Sequence, residues 1–272
     1  MRRSVLSAAF LLAALLGSFA AFAQAPAAAP PVKVDKKGPG PKSKEEVQAV
    51  TALFQSQTQA PDDEIKAAEA LLAKFADSDY KAIALEIEAE AYLRKNDNTN
   101  AIVFGERALQ ADPKNYDADN LLANITCAST RDTDLDKDEK LAKADKYAHD
   151  AMDALQAGKP PLFAKASDEA WAKTKAGVEG QAWQAFGVCA QVKKKYDEAI
   201  EDFQKGVATS PDHPDPLLVI RLGRAQLLAR KYDDAIASFQ KVIDLPDAPA
   251  QYKSIAQSDK DRATKSKPTA SK

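Results

Sequence analysis

One stretch of about sixteen residues occurs twice in this chain, and the repetition limits the folds open to it. KYDEAIEDFQKGVATSP begins at Lys195 and KYDDAIASFQKVIDLP begins at Lys231, which places their tyrosines 36 residues apart. Self-similarity with a period between 20 and 50 residues is typical of proteins that stack one small structural unit several times. The chain is therefore predicted to build its core by stacking.

The unit of the stack is predicted to be helical. Apolar residues recur at spacings of three and four, and no convincing alternating run indicates a strand. The joints between the helices are short and carry Pro, Asp, Asn or Ser, so consecutive helices are predicted to be antiparallel neighbours. The candidate helices are 44–58, 62–75, 81–95, 98–110, 116–128, 137–156, 167–176, 180–194, 197–209, 216–230, 233–244 and 249–262.

The repeated residues match a known pattern. Residues 180–213 carry Trp183, Phe186, Gly187, Ala190, Ala199, Phe203 and Pro211 at fixed separations, and residues 216–249 repeat the pattern with Leu222, Gly223, Ala235, Phe239 and Pro246. This arrangement resembles the tetratricopeptide repeat (TPR). The resemblance implies an all-α fold, a right-handed superhelical stack of antiparallel helical hairpins known as a TPR-type α-solenoid. It also implies a non-enzymatic protein that binds other proteins.

Earlier parts of the chain follow the same pattern less closely. Residues 82–115 fit it, although Glu88 stands where an apolar residue is usual and Gly105 where an aromatic one is usual. Residues 116–157 fit it with an insertion between the two helices, and residues 158–179 are predicted to interrupt the stack. The repeat domain is thus expected over 44–252, followed by the end of a capping helix and a disordered basic tail over 253–272.

The start of the chain reads as an export signal over residues 1–23. Arg2 and Arg3 precede an apolar run, and Ala21-Phe22-Ala23 offers a cleavage site before Gln24. The expected location is the periplasm or the outside of a bacterium, and an uncleaved membrane anchor is the alternative because the apolar run is just long enough to span a bilayer. Residues 24–43, rich in Ala, Pro and Lys, are predicted to be a disordered linker.

Composition argues against several classes of function. The formal net charge is −2, so no basic field favours nucleic acid. The chain has two histidines, His149 and His213, and no phosphate-binding loop, zinc spacing or nucleophile elbow, so neither an enzyme nor a cofactor is expected. Cys127 and Cys189 are predicted to be two buried, unpaired thiols, with a single disulfide as the alternative.

One insertion offers a weak metal candidate. Asp132, Asp134 and Asp136 have the alternating spacing that opens a calcium-binding loop. Lys137 and Lys143, however, stand where that motif needs its glycine and its bidentate glutamate. A solvated acidic loop is therefore the favoured interpretation.

The first helices of stacked hairpins are expected to line a groove that binds a partner protein or peptide segment. The candidate groove residues are the polar and aliphatic positions that lie off the packing face of these helices: Asn120, Asn124, Gln181, Gln184, Val188, Gln191, Leu217, Ile220, Arg224 and Leu227. The alternative is that these positions only face solvent, or are covered by the chain's own last helix or linker.

The predicted function is a partner-binding scaffold of the bacterial cell envelope. The alternatives are a structural subunit of an envelope assembly and, as the weakest, a metal-dependent enzyme.

Overall fold

The computed structural model describes residues 39–158 and 167–268, and these residues form eleven helices and no strand. The helices are α1 Lys44–Ser56, α2 Pro61–Lys74, α3 Lys81–Arg94, α4 Asn98–Ala111, α5 Tyr116–Ser129, α6 Lys137–Gln156, α7 Asp168–Val192, α8 Tyr196–Ala208, α9 Pro216–Leu228, α10 Tyr232–Asp244 and α11 Ala250–Ser266. The all-α prediction is confirmed. The predicted export signal over residues 1–23 lies outside the described residues.

Consecutive helices pack against each other, as expected for helical hairpins joined by short turns. In the first part of the chain, α1 packs on α2, α2 on α3 and α3 on α4; in the last part, α8 packs on α9, α9 on α10 and α10 on α11. The described residues form two compact units. The first unit contains the residues up to Ile125 together with Asp150–Ala172, and the second contains Thr126–His149 and the residues from Lys173 onward.

In the second unit, a contact between a glycine and a phenylalanine joins the two helices of a hairpin, and it occurs twice. A Cβ atom added to Gly187 would lie 2.6 Å from Cε1 of Phe203, and one added to Gly223 would lie 2.6 Å from Cε1 of Phe239. Both rings have no exposed surface. The residues that recur in the sequence are therefore packing residues, because each glycine leaves the space that the ring of the neighbouring helix fills.

Replacing Gly223 with alanine is expected to lower the free energy of unfolding by about 1–3 kcal/mol, because the added methyl group overlaps a buried ring. The matched control is Gly177→Ala in α7, where an added Cβ meets nothing within 4 Å. This control should be neutral or stabilise by up to about 1 kcal/mol, since alanine favours helix. Urea denaturation of the two variants measures both effects, and equal changes would contradict the packing argument.

In the first unit, a glycine stands at the position where the repeat pattern usually has an aromatic residue, and another side chain fills the space. At Gly105, where an aromatic residue is usual, an added Cβ would lie 3.0 Å from Cδ2 of Leu122. Leu122 is fully buried, and a small cluster of Leu85, Ala108 and Ala118 completes this part of the core. The missing aromatic ring is thus replaced by a leucine that reaches in from α5.

Glu88 is a second departure from the repeat pattern, and it places a carboxyl group in the core of the first unit. The residue is 1% exposed, and neither carboxyl oxygen has a hydrogen-bond partner within the described residues. Burial and, to a lesser extent, the negative charge of Glu69 raise the pKa of Glu88 to about 7, against a smaller opposing effect of Arg107. The folded protein therefore favours the neutral acid at this position.

The variant Glu88→Leu is expected to be more stable than the parent, and the gain should grow with pH. An acid whose pKa is raised on folding destabilises the protein progressively as pH rises from its unfolded pKa to its folded one, here from about 4.5 to about 7. The gain should accordingly be about 2 kcal/mol larger at pH 8 than at pH 5. Denaturation of both proteins across this range measures it, and parallel pH profiles would contradict the assignment.

A disulfide joins Cys127 of α5 to Cys189 of α7, so the prediction of two unpaired thiols is wrong and the alternative is realised. The two Cα atoms lie 5.0 Å apart, within the range that a disulfide requires. Both residues are buried in the core cluster of the second unit. The bond links residues 62 positions apart. Because it restricts the conformations of the unfolded chain, a disulfide across a loop of that length stabilises the folded state by about 4 kcal/mol.

Two helices differ in extent from the sequence prediction. The predicted break between 176 and 180 is absent, because α7 runs without interruption from Asp168 to Val192. The last helix extends to Ser266, four residues beyond its predicted end, so part of the expected disordered tail is ordered. A stripe of buried residues accounts for this extension: Tyr252, Ala256, Asp259 and Ala263.

Candidate functional site

The candidate groove residues of the second unit are mostly buried. Gln184, Val188, Leu217, Ile220 and Leu227 are all at most 9% exposed. These five side chains therefore offer little accessible surface, and their role in binding a partner stays a prediction. Of the candidates in this unit, Gln181, Gln191 and Arg224 keep a partly exposed side chain.

The last helix of the chain accounts for part of this burial. Helix α11 packs on α9 as well as on α10, and Nε of Arg224 donates to Oδ2 of Asp259 at 2.6 Å. Asp259 is itself buried. At Arg224 the alternative interpretation holds, because the chain's own last helix covers this candidate groove position.

A second arginine lies in the core beside this pair. Arg221 is 6% exposed, and its Nε has no hydrogen-bond partner within the described residues. Burial, followed by repulsion from Arg224, lowers the pKa of Arg221 to about 10. The guanidinium remains charged at neutral pH, and the repeat pattern gave no sign of its burial.

The two asparagine candidates of the first unit are also buried. Asn120 is 1% exposed and Asn124 is 8% exposed. The side chain of Asn124 donates to the backbone oxygen of Asn120 at 2.9 Å, which turns this amide toward its own helix. Neither residue offers much accessible surface, and their role in binding a partner stays a prediction.

Three carboxylates lie next to these positions and remain partly exposed. Glu86 and Glu90 of α3 face Asp117 of α5, and we call these three residues the acidic face. Nδ2 of Asn115 donates to Oε2 of Glu86 at 3.3 Å. No member of the acidic face forms an ion pair with any described residue.

The electrostatic consequence is that the three carboxyl groups hold their protons more tightly than free acids do. Burial and then the charge of Asp117 raise the pKa of Glu90 to about 8, and burial raises the pKa of Asp117 to about 7. The pKa of Glu86 is also well above its ordinary value, through burial first and the other two carboxylates second. Burial is the largest cause of all three shifts, and repulsion between neighbouring carboxylates adds to it at Glu86 and Glu90.

The sequence analysis did not select these three acids as candidates. A usable signal was present, because Glu86 and Glu90 lie four residues apart in the predicted helix 81–95 and Asp117 lies in the first turn of the predicted helix 116–128. Helical spacing brings Glu86 and Glu90 onto one side of α3. The approach of Asp117 depends on how α5 packs, which a single helix does not reveal.

The aspartates of the insertion are paired with lysines. Asp132 contacts Nζ of Lys137 at 2.6 Å and Nζ of Lys194 at 2.5 Å. Lys140 contacts both Asp134 and Asp136, at 3.0 and 2.9 Å. The hydrogen bonds from the two lysines lower the pKa of Asp132 to about 2. The described residues contain no group of three or more side chains suited to hold a metal ion.

His149 makes ordinary surface contacts. Its ring lies edge-on to Phe186, with centroids 4.7 Å apart, and its Nδ1 lies 2.8 Å from the backbone oxygen of Asp145. His213 is exposed in the turn between α8 and α9.

Comparison with known proteins identifies the repeat. Residues 180–213, which form most of α7 and all of α8, match the family model of the tetratricopeptide repeat. The solved structure of a thermophilic TPR protein from Thermus thermophilus matches with a TM-score of 0.59 at 16% identity, over 79% of this chain and 98% of that one. This likeness and the packed helix pairs show the predicted TPR-type α-solenoid fold.

No curated protein sequence matches the chain. TPR proteins generally bind protein or peptide partners and are generally not catalysts, so the fold supports an interaction scaffold. Among the described helices, none is long and apolar enough to cross a membrane.

Proposed function

We propose that this protein is a non-enzymatic scaffold of the bacterial cell envelope that binds a partner protein segment on the first helices of its TPR hairpins. The observation that supports a specific location is the acidic face, where Glu86, Glu90 and Asp117 remain accessible and have no cationic partner among the described residues. The partner segment is then one that carries lysine or arginine.

The physical reason is charge balance. Three carboxylates held close together in a partly buried place must either take up protons or be neutralised by a cation. An ammonium or guanidinium group from a partner would form charge-assisted hydrogen bonds to them, which are about twice as strong as neutral ones. An extended segment could place such a group here while its backbone lies along the helices.

Binding of short peptides tests this location. The probes are extended peptides of equal length that carry no lysine, two lysines or four lysines, and calorimetry measures their affinity. Affinity should rise with lysine content and should fall at least tenfold in the variant Glu86→Gln/Glu90→Gln/Asp117→Asn, because that variant removes the charge and keeps the shape.

The matched control is a variant with three exposed carboxylates neutralised elsewhere, Glu45→Gln/Glu139→Gln/Glu201→Gln. This variant has the same net charge as the first and should bind nearly as the parent does. If the two variants lose the same affinity, the effect is general electrostatics and the acidic face is not the site. Binding that is independent of lysine content would also reject it.

The envelope location is part of the proposal, and two features support it. Residues 1–23 have the pattern of an export signal, and the pair of cysteines forms a disulfide, a bond that persists mainly in oxidising compartments. Expression of the full chain in a bacterium, followed by fractionation and intact-mass analysis, tests this. We expect a periplasmic product that begins at Gln24. A product that keeps Met1 in the membrane fraction supports the anchor instead, and one in the cytoplasm rejects export.

A further inference from the structure

Two aromatic side chains border the acidic face. Tyr116 is the first residue of α5, directly before Asp117, and Trp171 lies in the first turn of α7. Their ring centroids are 6.2 Å apart, and the ring planes are tilted by 57°. Both residues belong to the first unit, as the acidic face does. Aromatic rings next to carboxylates form surroundings that suit an organic cation.

Tyr116 lies close enough to the carboxylates for their charges to act on its phenol. Burial and then the charges of Asp117 and Glu86 raise the pKa of Tyr116. The residue is 6% exposed, yet its hydroxyl makes no hydrogen bond to any residue that the structure describes. Buried hydroxyl groups normally have a partner. A ligand with N–H donors can therefore bond to this oxygen as well as to the carboxylates.

Trp171 is partly exposed, and within the described part of the chain no lysine or arginine lies over its ring. The other tryptophan of the chain differs in this respect. Nζ of Lys205 lies 4.4 Å from the centroid of the Trp183 ring. Tryptophan is the side chain that attracts cations most strongly through its ring face. Trp171 thus offers such a face beside three carboxylates that have no cation of their own.

A guanidinium group suits this combination of groups better than an ammonium group does. Its planar face stacks on an aromatic ring while its five N–H donors bond in the plane, often to a carboxylate through two parallel bonds. An ammonium group is a compact charge that holds its water strongly. Because the acidic face is partly buried, a cation must lose water to bind there, and this loss is smaller for guanidinium.

We propose that the acidic face, together with Tyr116 and Trp171, binds an arginine side chain of the partner segment in preference to a lysine side chain. The guanidinium group stacks on the indole of Trp171. Its N–H groups donate to the carboxylates and to the hydroxyl oxygen of Tyr116. This inference rests on the proposed function, because it specifies which cation the same surface selects.

Peptides of equal length test the preference on the full chain. The probes carry two arginines, two lysines or two citrullines, and citrulline keeps nearly the shape of arginine without its charge. Calorimetry should show the arginine peptide binding about fivefold more tightly than the lysine peptide, because only guanidinium combines stacking with in-plane bonds. The citrulline peptide should bind more weakly than either, since it cannot balance the carboxylates.

The variant Trp171→Leu tests the role of the indole. It should lower the affinity for arginine more than the affinity for lysine, so that the two peptides bind about equally, because leucine is apolar but has no aromatic face. The matched control is the same change at the other tryptophan of α7, Trp183→Leu, which should keep the preference for arginine. Circular dichroism checks that both variants keep their fold.

Nuclear magnetic resonance provides a readout on the unaltered chain. The chain has two tryptophans, so its spectrum contains two indole N–H signals, and the variants assign them. We expect the arginine peptide to shift the signal of Trp171 and to leave that of Trp183 in place.

Two kinds of failure can be told apart. Equal affinities for the arginine and lysine peptides, a preference that survives Trp171→Leu, or an unshifted Trp171 signal would overturn this inference while the proposed function stands. If neither peptide binds, both are rejected.

Discussion

The fold depends on the close approach of two helices at a glycine that leaves room for a ring. Gly187 with Phe203 and Gly223 with Phe239 are the same contact made twice, and each ring is completely buried by it. Each pair joins the two helices of one hairpin, so the sequence is repeated because each hairpin needs the same contact between its own helices. Neighbouring hairpins then cover the apolar faces that remain. Where the chain departs from this rule, at Gly105, a leucine from the following helix takes the place of the ring.

The first unit holds acidic groups both in its core and at its surface, and one of them, Glu88, stands where the repeat pattern usually has an apolar residue. Glu88 lies in the core, and Glu86, Glu90 and Asp117 lie at the partly exposed surface of the same helices. Crowded carboxylates of this kind weaken the fold as pH rises, because the folded state resists their ionisation. The proposed binding of a basic partner would relieve this cost, because a cation would balance the carboxylates.

The sequence was sufficient to predict the helices, the hairpins and the packing role of the repeated residues, since periodicity is a local property that the fold preserves. It was insufficient for contacts between distant segments. The bond between Cys127 and Cys189 joins residues 62 positions apart, and spacing alone does not tell whether such thiols meet. The groove candidates Leu217 and Ile220 were chosen by their place on an isolated helix, whereas α11 covers the face of α9 at Arg224. The acidic face was overlooked for a similar reason, because it needs two helices to form.

The central claim is that the first unit binds a basic segment through the acidic face of α3 and α5. Amide hydrogen exchange, measured with and without a lysine-rich peptide, tests it directly because it locates the contact on the chain. We expect slower exchange in Lys81–Arg94 and Tyr116–Ser129, with no change in α9 and α10. Protection confined to the second unit, or protection that persists after the three carboxylates are neutralised, would contradict it.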